Sequence, residues 1–166
     1  MIRAILAHDS QHGIGKDGDL PWPKNSEDLK WFKECTSGEI VVMGRNTWES
    51  LPFKPLPNRH NIVVSNTMNS ERCEVVKSDI YKSRLKFLSN KEQVWIIGGA
   101  QLVESSLDII DELWLNDVDG DYECDTFLPY RKIQSLFQLN EVEIKSFGTI
   151  KKFYKRKNIK HRDFIY

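Results

Sequence analysis

Asp28 is the residue of this sequence whose position most strongly suggests chemistry. It lies in a segment, residues 25–35, whose pattern predicts a helix. Wound at about 100° per residue, the segment places Asp28 on its apolar face. That face also carries Leu29, Trp31, Phe32 and Cys35. A carboxylate there is costly unless a partner compensates it, and in a cleft it is a candidate for binding a cationic heterocycle or moving a proton.

A second role for Asp28 is equally open from the helix alone. Asn25 is a good N-cap, which would put Asp28 at the third helical position. An acid in the first turn is favoured there by the helix dipole. The helix pattern therefore does not decide between a capping residue and a site residue.

The segment from Gly13 to Gly18 matches the pattern G-x-G-x-x-G and follows a predicted strand. A dinucleotide fingerprint must open a helix, and Pro21 and Pro23 prevent a helix from continuing here. We therefore interpret residues 13–23 as a glycine-rich loop that passes over a site.

Two other glycine turns are better candidates for binding phosphate. Gly98-Gly99 follows a buried strand and precedes a helix at Ala100, a geometry that exposes backbone N–H groups to an anion. Residues 44–47, Gly-Arg-Asn-Thr, repeat the arrangement with a guanidinium and a hydroxyl. A tight turn and a surface arginine are the simpler alternatives. Together, however, the two turns suggest a dinucleotide across the carboxyl edge of a sheet.

Other charged residues have simpler interpretations. Arg59 could clamp an acidic substrate tail, but a solvated arginine at a strand entry is the favoured reading. The basic stretch 151–157 is typical of a solvated or edge strand that charge protects from aggregation. The four histidines show no metal-ligand spacing, so we expect no metal site.

Composition limits the class of protein. The chain has 166 residues, 40% of them hydrophobic and 29% charged, which fits one globular domain. Lys plus Arg equals Asp plus Glu at 24 each, so charge gives no case for a nucleic-acid or membrane partner. Cys35, Cys73 and Cys124 lack CxxC spacing, and no signal peptide or membrane span is evident. We expect a soluble, cytoplasmic protein.

Predicted strands alternate with predicted helices along the first two-thirds of the chain. This order favours an α/β fold with a largely parallel sheet, and a C-terminal hairpin turning near Phe147 adds an antiparallel edge. Ser78 and Asp79 are candidates to cap the helix that follows them. The predicted strands are 3–8, 40–43, 61–65, 74–76, 94–97, 112–118, 136–145 and 149–156.

An ordered set of short motifs resembles the dihydrofolate reductase family over roughly residues 2–156. No single motif is diagnostic, but their order and spacing are highly specific. The resemblance implies an eight-stranded, mostly parallel sheet and reduction of 7,8-dihydrofolate by NADPH. The motifs are Ile5-Leu6-Ala7, Ile14-Gly15 with Leu20-Pro21-Trp22, Asp28-Leu29 with Trp31-Phe32, Val42-Met43-Gly44-Arg45, Thr47-Trp48-Glu49-Ser50, Leu56-Pro57 with Arg59, Ile97-Gly98-Gly99 and Asp125-Thr126.

The resemblance also implies roles for individual residues. Asp28 would hold the pterin, Arg59 the glutamate carboxylate of folate, and Asn116 would stand beside the acid. Leu20 and Trp22 would complete the catalytic group from the mobile loop, which Asp125 would help to fix closed. The apolar walls would be Ile5, Leu29, Phe32, Leu51, Leu56 and Ile97. The cofactor would be bound by Ala7, Ile14, Gly15, Leu20, Gly44, Arg45, Asn46, Thr47, Ser65, Asn66, Ile97, Gly98, Gly99, Ala100, Gln101 and Leu102.

Some positions depart from the family pattern. Asn116 replaces a usual threonine, Val103 a frequent aromatic, Ala100 a third glycine and Gln101 a frequent basic residue near the 2′-phosphate. Two alternatives remain: a related reductase acting on another pterin-like or pyrimidine substrate, and a folate- or nucleotide-binding module without turnover. We expect a monomer whose domain spans residues 1–157, with a tail of unknown role at 158–166, and which antifolates would inhibit.

Overall fold

A computed structural model describes residues 1–23, 26–145 and 149–158. In chain order, the strands are β1 Ile2–His8, β2 Gly13–Gly15, β3 Ile40–Gly44, β4 His60–Val64, β5 Glu74–Val76, β6 Val94–Gly98, β7 Glu112–Val118, β8 Thr126–Phe127, β9 Phe137–Lys145 and β10 Thr149–Arg156. The helices are α1 Ser26–Thr36, α2 Arg45–Ser50, α3 Tyr81–Ser89, α4 Ala100–Ser105 and α5 Tyr130–Leu136.

Eight strands form one sheet in the order β5-β4-β3-β6-β1-β7-β10-β9. The first six are parallel, joined by helices except for the loop of residues 65–73 between β4 and β5, and β10 runs antiparallel to both β7 and β9. The remaining two strands, β2 and β8, pair in a separate small sheet. The predicted fold class, mostly parallel with an antiparallel C-terminal edge, is confirmed.

Alternating residues of the buried strands feed two hydrophobic clusters, one on each face of the sheet. The α1-side cluster contains Ile5 and Trp48, with Phe32 packed against it. The α3-side cluster contains Ala4 and Leu85 and is the larger of the two. The sheet is therefore covered on both faces, which explains why its central strands read as continuous apolar runs.

The structure corrects several local predictions. Strands β2 and β8 were not predicted, because two- and three-residue strands carry no periodic signal, and the short helix α5 was not predicted either. Helix α3 begins after Ile80 without a side-chain cap. Ser78, a predicted cap, instead exchanges hydrogen bonds with Asn66. The predicted N-cap Asn25, the hairpin turn near Phe147 and tail residues 159–166 lie outside the described residues.

The strand that carries the basic stretch is not an edge strand. It is β10, and it lies between β7 and β9. The prediction of an edge strand was therefore wrong. Lys155 is exposed, as a solvated residue would be, but Lys151 is buried, as described below. Among the described residues, no helix is long and apolar enough to cross a membrane.

Candidate active site

Three strands present one row of side chains beneath helix α1. Ala7 of β1 pairs in register with Asn116 of β7, which pairs in turn with Lys151 of β10. Asp28, in the first turn of α1, reaches this row. The Asn116 amide donates a hydrogen bond to one oxygen of Asp28, and the Lys151 ammonium donates to the other. Asp28 is thus a half-buried carboxylate held by the sheet.

Lys151 is buried, contrary to the expectation from the sequence. Its side chain is only 3% exposed, against 16% for Asp28, and its ammonium lies 4.2 Å from the centre of the Trp31 ring. The reason is strand parity, because neighbouring residues face opposite sides of a sheet. Lys152 points to the other face and pairs with Asp117 at 2.8 Å.

The predicted apolar walls are brought together on this same face. Ile5 belongs to the α1-side cluster, against which Phe32, Leu51, Leu56 and Ile97 pack with partial exposure. These partly exposed side chains lie on the face of the sheet that helix α1 covers, and α1 also carries Asp28, so they are candidates for the apolar wall of a site for a flat ring.

Leu29 departs from the predicted arrangement. Its side chain is 54% exposed, so its expected place on the buried arc of the helix was wrong. One face of an 11-residue helix packs on the sheet, and Leu29 lies at the margin of that face. It remains a candidate wall from the open side of the cleft.

Arg59 is fixed near the end of α1. It donates to the Pro57 carbonyl at 2.9 Å and to the Thr36 hydroxyl at 3.1 Å, and lies 5.9 Å from the Phe32 ring centre. Burial lowers the pKa of Arg59 from its usual value. Both acceptors are uncharged, so this desolvated guanidinium is suited to an anionic ligand group.

The two glycine turns lie side by side at the carboxyl edge of the sheet, as predicted. Met43 pairs in register with Gly98, and a Cβ built on Gly44 would lie 3.8 Å from the Gly99 nitrogen. A Cβ on Gly98 would meet the Thr47 hydroxyl at 3.5 Å, and Gly98 has a φ of 131°, which favours glycine. The turns form one cradle that side chains would fill.

Arg45 stands beside this cradle at the start of α2. Its side chain is 48% exposed and pairs with Glu49 at 3.0 Å. It also donates to the Thr67 hydroxyl at 3.1 Å. A guanidinium that keeps exposed donors can still reach a phosphate.

The other predicted cofactor residues differ in their exposure and in their contacts. Asn46 and Gln101 are exposed, while Leu102 is buried in the α3-side cluster. The Ser65 hydroxyl accepts the Met68 N–H at 3.1 Å and so holds its own turn. Ala7, Ile14, Gly15 and Ala100 are half-buried.

Residues 13–23 begin with β2 of the small β2–β8 sheet, and among residues 13–23 and 26–36, which the structure describes, the first helix is α1, at Ser26. Asp125 accepts the Asp17 N–H at 2.9 Å and donates its own N–H to Gly15. The Asp17 N–H lowers the pKa of the Asp125 carboxyl. Leu20 is 54% exposed, whereas Trp22 is buried against Tyr122.

Asp9 is a structural acid that the sequence analysis did not identify. It is fully buried and accepts N–H groups from Gln11, Gly13 and Tyr122. Burial alone would raise the pKa of Asp9, but these N–H groups and the Cys124 thiol outweigh it, so the pKa is lowered. The position of Asp9, directly after a strand and before a glycine-rich loop, was the sequence signal that could have identified it as an acceptor for backbone N–H groups.

The carboxyl edge of the parallel strands, the paired glycine turns and the half-buried carboxylate are typical of an α/β enzyme that binds a dinucleotide. The sequence model of the dihydrofolate reductase family matches residues 1–157. The chain is 43% identical over 131 residues to the dihydrofolate reductase of Bacillus subtilis, covering 78% of this chain and 76% of that protein. It is 37% identical to that of Haemophilus influenzae over 125 residues, covering 75% and 76%.

A solved structure agrees. Dihydrofolate reductase from Enterococcus faecalis, in complex with NADP(H) and RAB-propyl, superimposes with a TM-score of 0.82 at 29% identity, covering 95% of this chain and 97% of that one. The chain belongs to the dihydrofolate reductase family. It is an oxidoreductase that uses NADPH to reduce 7,8-dihydrofolate to 5,6,7,8-tetrahydrofolate.

Proposed function

We propose that Asp28 is the acid of this reductase, which fixes the pterin ring and assists its protonation. The observation that carries this proposal is the contact of Asp28 with Asn116 and Lys151, since these bonds hold the carboxylate against the sheet on the side of the α1-side cluster. Each carboxylate oxygen keeps acceptor capacity for the paired N–H groups of a pterin. Such a contact orients the ring and raises the basicity of its imine nitrogen.

The remaining substrate contacts follow from the cleft. Phe32, Leu51, Leu56 and Ile97, together with Ile5 and Leu29, would form its apolar walls. Arg59 would bind the glutamate carboxylate of the folate tail. Its burial among uncharged acceptors supports this, because an anion is the partner that a desolvated guanidinium lacks there.

The cofactor would lie along the glycine cradle, whose backbone room fits the close approach of a pyrophosphate. Gly44, Gly98 and Gly99 would contact it through backbone N–H groups, with Ala100 at the start of the following helix. When bound, NADPH supplies the hydride. Further contacts would come from Ala7, Ile14, Gly15, Arg45, Asn46, Thr47, Ser65, Asn66, Gln101 and Leu102.

The loop of residues 13–23 would exclude water from the two stacked rings and so hold a near-attack geometry. Leu20 and Trp22 would be its contributions to the site. A water admitted past Leu20 would carry the proton to the ring nitrogen. The hydrogen bond from the Asp17 N–H to Asp125 supports a role for Asp125 in fixing the loop.

Replacing Asp28 by Asn tests the assignment. Turnover at neutral pH should fall by about 10²–10⁴, the range for a positioned acid–base group, which is about 3–5 kcal/mol of barrier. Activity should partly recover in acid, where solvent protonates the substrate. The measurement is single-turnover hydride transfer between about pH 5 and about pH 9. Glu27→Gln, an exposed acid in the same helical turn, is the matched control.

A capping residue would behave differently. If Asp28 only caps α1, its amide variant should lose about 1 kcal/mol of stability at most and keep its turnover. Parallel pH profiles with similar rates for Asp28→Asn and the unmodified protein would end the case for Asp28 as the acid. Stability is measured separately by urea unfolding, because the variant also leaves the Lys151 ammonium without its counter-charge.

We also propose that the protein acts as a monomer in the cytoplasm, has no nucleic-acid partner and binds antifolates in the substrate cleft. Its equal numbers of acidic and basic residues, 24 each, support the absence of a polyanionic partner. Light scattering tests the oligomeric state, for which a mass near 19.4 kDa is expected.

A further inference from the structure

The ammonium of Lys151 stays beside any ligand that Asp28 binds. Its side chain is 3% exposed, it donates to Asp28, and it lies over the Trp31 ring at 4.2 Å. A buried ammonium held by a carboxylate and an aromatic face cannot turn to solvent without losing both contacts. A ligand at Asp28 therefore shares that carboxylate with a fixed positive charge.

The other charged side chains around the pair are exposed. A cavity of about 150 Å³ adjoins Asp28 and Lys151 and is also lined by Trp31, Thr149, Glu27, Lys30 and Glu34. Glu143 of β9 is the exposed register partner of Lys151. Cys35 faces the pair as a neutral thiol, because burial raises its pKa to about 11. Asn116, on β7, is uncharged.

We propose that Lys151 is a specificity-determining residue that makes the Asp28 subsite favour neutral heterocycles over protonated ones. The inference rests on the proposed role of Asp28 in binding the pterin ring. A neutral ring can hydrogen-bond to Asp28 without electrostatic repulsion from the Lys151 ammonium. A cationic ring bound to the same carboxylate is repelled by that ammonium. In the reduction, Lys151 would not contact the reacting atoms. It would act by positioning the Asp28 carboxylate.

The same repulsion has a consequence for the pH dependence of turnover. A nearby ammonium lowers the proton affinity of the bound ring, because the protonated ring carries a like charge. Removing that charge should let the ring protonate at higher pH. The fall in hydride-transfer rate on the alkaline side should then move to higher pH.

Lys151→Met tests the proposal, because it keeps the length and apolar stem of the side chain and removes the charge. Lys152→Met is the matched control, since that lysine is the next residue of β10 and pairs with Asp117 on the opposite face. The probes are 2,4-diaminopyrimidine, measured below its own pKa so that it is a cation, and 7,8-dihydrofolate, whose ring is neutral. Quenching of tryptophan fluorescence gives both dissociation constants.

We expect Lys151→Met to improve the ratio of diaminopyrimidine to dihydrofolate affinity by roughly tenfold to a hundredfold, the range for two like charges sharing one partly desolvated site. Lys152→Met should leave that ratio unchanged. An unchanged ratio in Lys151→Met, or an equal change for both ligands, would overturn the proposal and leave Lys151 with a structural role.

Two further variants keep the result interpretable. If Lys151→Met does not fold, the comparison is made between Asp28→Asn and the double variant with Lys151→Met. There the ammonium repels a cation without the carboxylate, so the double variant should again favour the cation. If Asp28→Asn keeps full turnover, the proposed function fails. If Asp28→Asn lowers turnover but Lys151→Met does not change the ratio of the two affinities, only the inference about Lys151 fails.

Discussion

Replacing Asp9 by Asn should destabilise the protein at the junction that holds the loop of residues 13–23. One oxygen of Asp9 accepts N–H groups from Gln11 at 2.9 Å and Gly13 at 2.8 Å. The other accepts the Tyr122 N–H at 3.0 Å and the Cys124 thiol. An amide keeps only one acceptor atom, so its NH₂ group must face at least one backbone donor.

The size of the effect follows from these contacts. Hydrogen bonds to a charged group contribute about 1.5–3 kcal/mol each, and a buried donor left unpaired costs about 1–3 kcal/mol. With Asp9 fully buried, water cannot replace the lost acceptor without local opening. We therefore expect the free energy of unfolding to fall by about 2–4 kcal/mol at neutral pH, which for a domain of this size lowers Tm by roughly 5–15 °C.

The pH dependence has a defined sign. The pKa of Asp9 is lowered from 3.8 in the folded protein, since its backbone donors outweigh burial. A group with a lowered folded pKa contributes stability above its unfolded pKa, and that contribution is lost as pH falls through the folded value. The stability difference from Asp9→Asn should thus be constant from neutral pH to about pH 5 and shrink in more acidic solution.

Urea unfolding followed by tryptophan fluorescence measures this difference. Asp108→Asn is the control, because that acid forms an exposed pair with Lys82 and should change stability by less than about 1 kcal/mol. Equal stability of the Asp9 and Asp108 variants would refute the reasoning. So would a difference that grows as the solution becomes acidic.

Three other variants test the proposed binding residues. Arg45→Ala should weaken NADPH more than NADH, by roughly 1–3 kcal/mol in binding free energy, and equal losses in titrations with both cofactors would exclude a 2′-phosphate contact. Arg59→Ala should raise KM for dihydrofolate but barely affect a pterin without the glutamate, and equal changes in steady-state KM would make Arg59 structural. Asn116→Thr should keep or improve turnover, since a hydroxyl can also bond Asp28. A loss of more than about tenfold would indicate a differently arranged pocket.

The sheet was predictable because its signals are local. Buried strands such as Ile40–Gly44 read as short apolar runs, and glycine follows two of them where a helix begins. The positions of the Gly44 and Gly98 turns then follow from parallel pairing, which aligns the carboxyl ends of neighbouring strands. The family was predicted from the ordered motifs, because hydrophobic periodicity predicts strands and helices but carries no information about the family.

The environment of Asp28 was not predictable in the same way. Its partners Asn116 and Lys151 lie 88 and 123 positions away in sequence, and only the register of β7 and β10 brings them together. A run of basic residues predicts solvent exposure for all of them. Which of them faces the core depends on the register of the strand against its neighbours, and the run itself does not show that register. Asp9 escaped notice for a similar reason, because Tyr122 and Cys124 complete its site from a distant loop.

Neighbouring lysines of strand β10 form ion pairs on opposite faces of the sheet. Lys151 pairs with Asp28 on the α1 side of the sheet, whereas Lys152 pairs with Asp117 on the opposite side. Because both pairs depend on one register against β7, a one-residue slip would turn Lys151 away from Asp28 to the opposite face, and the native pairs would be lost. The pairs therefore penalise the wrong register, and the order that places Lys151 at Asp28 also specifies how the C-terminal hairpin docks.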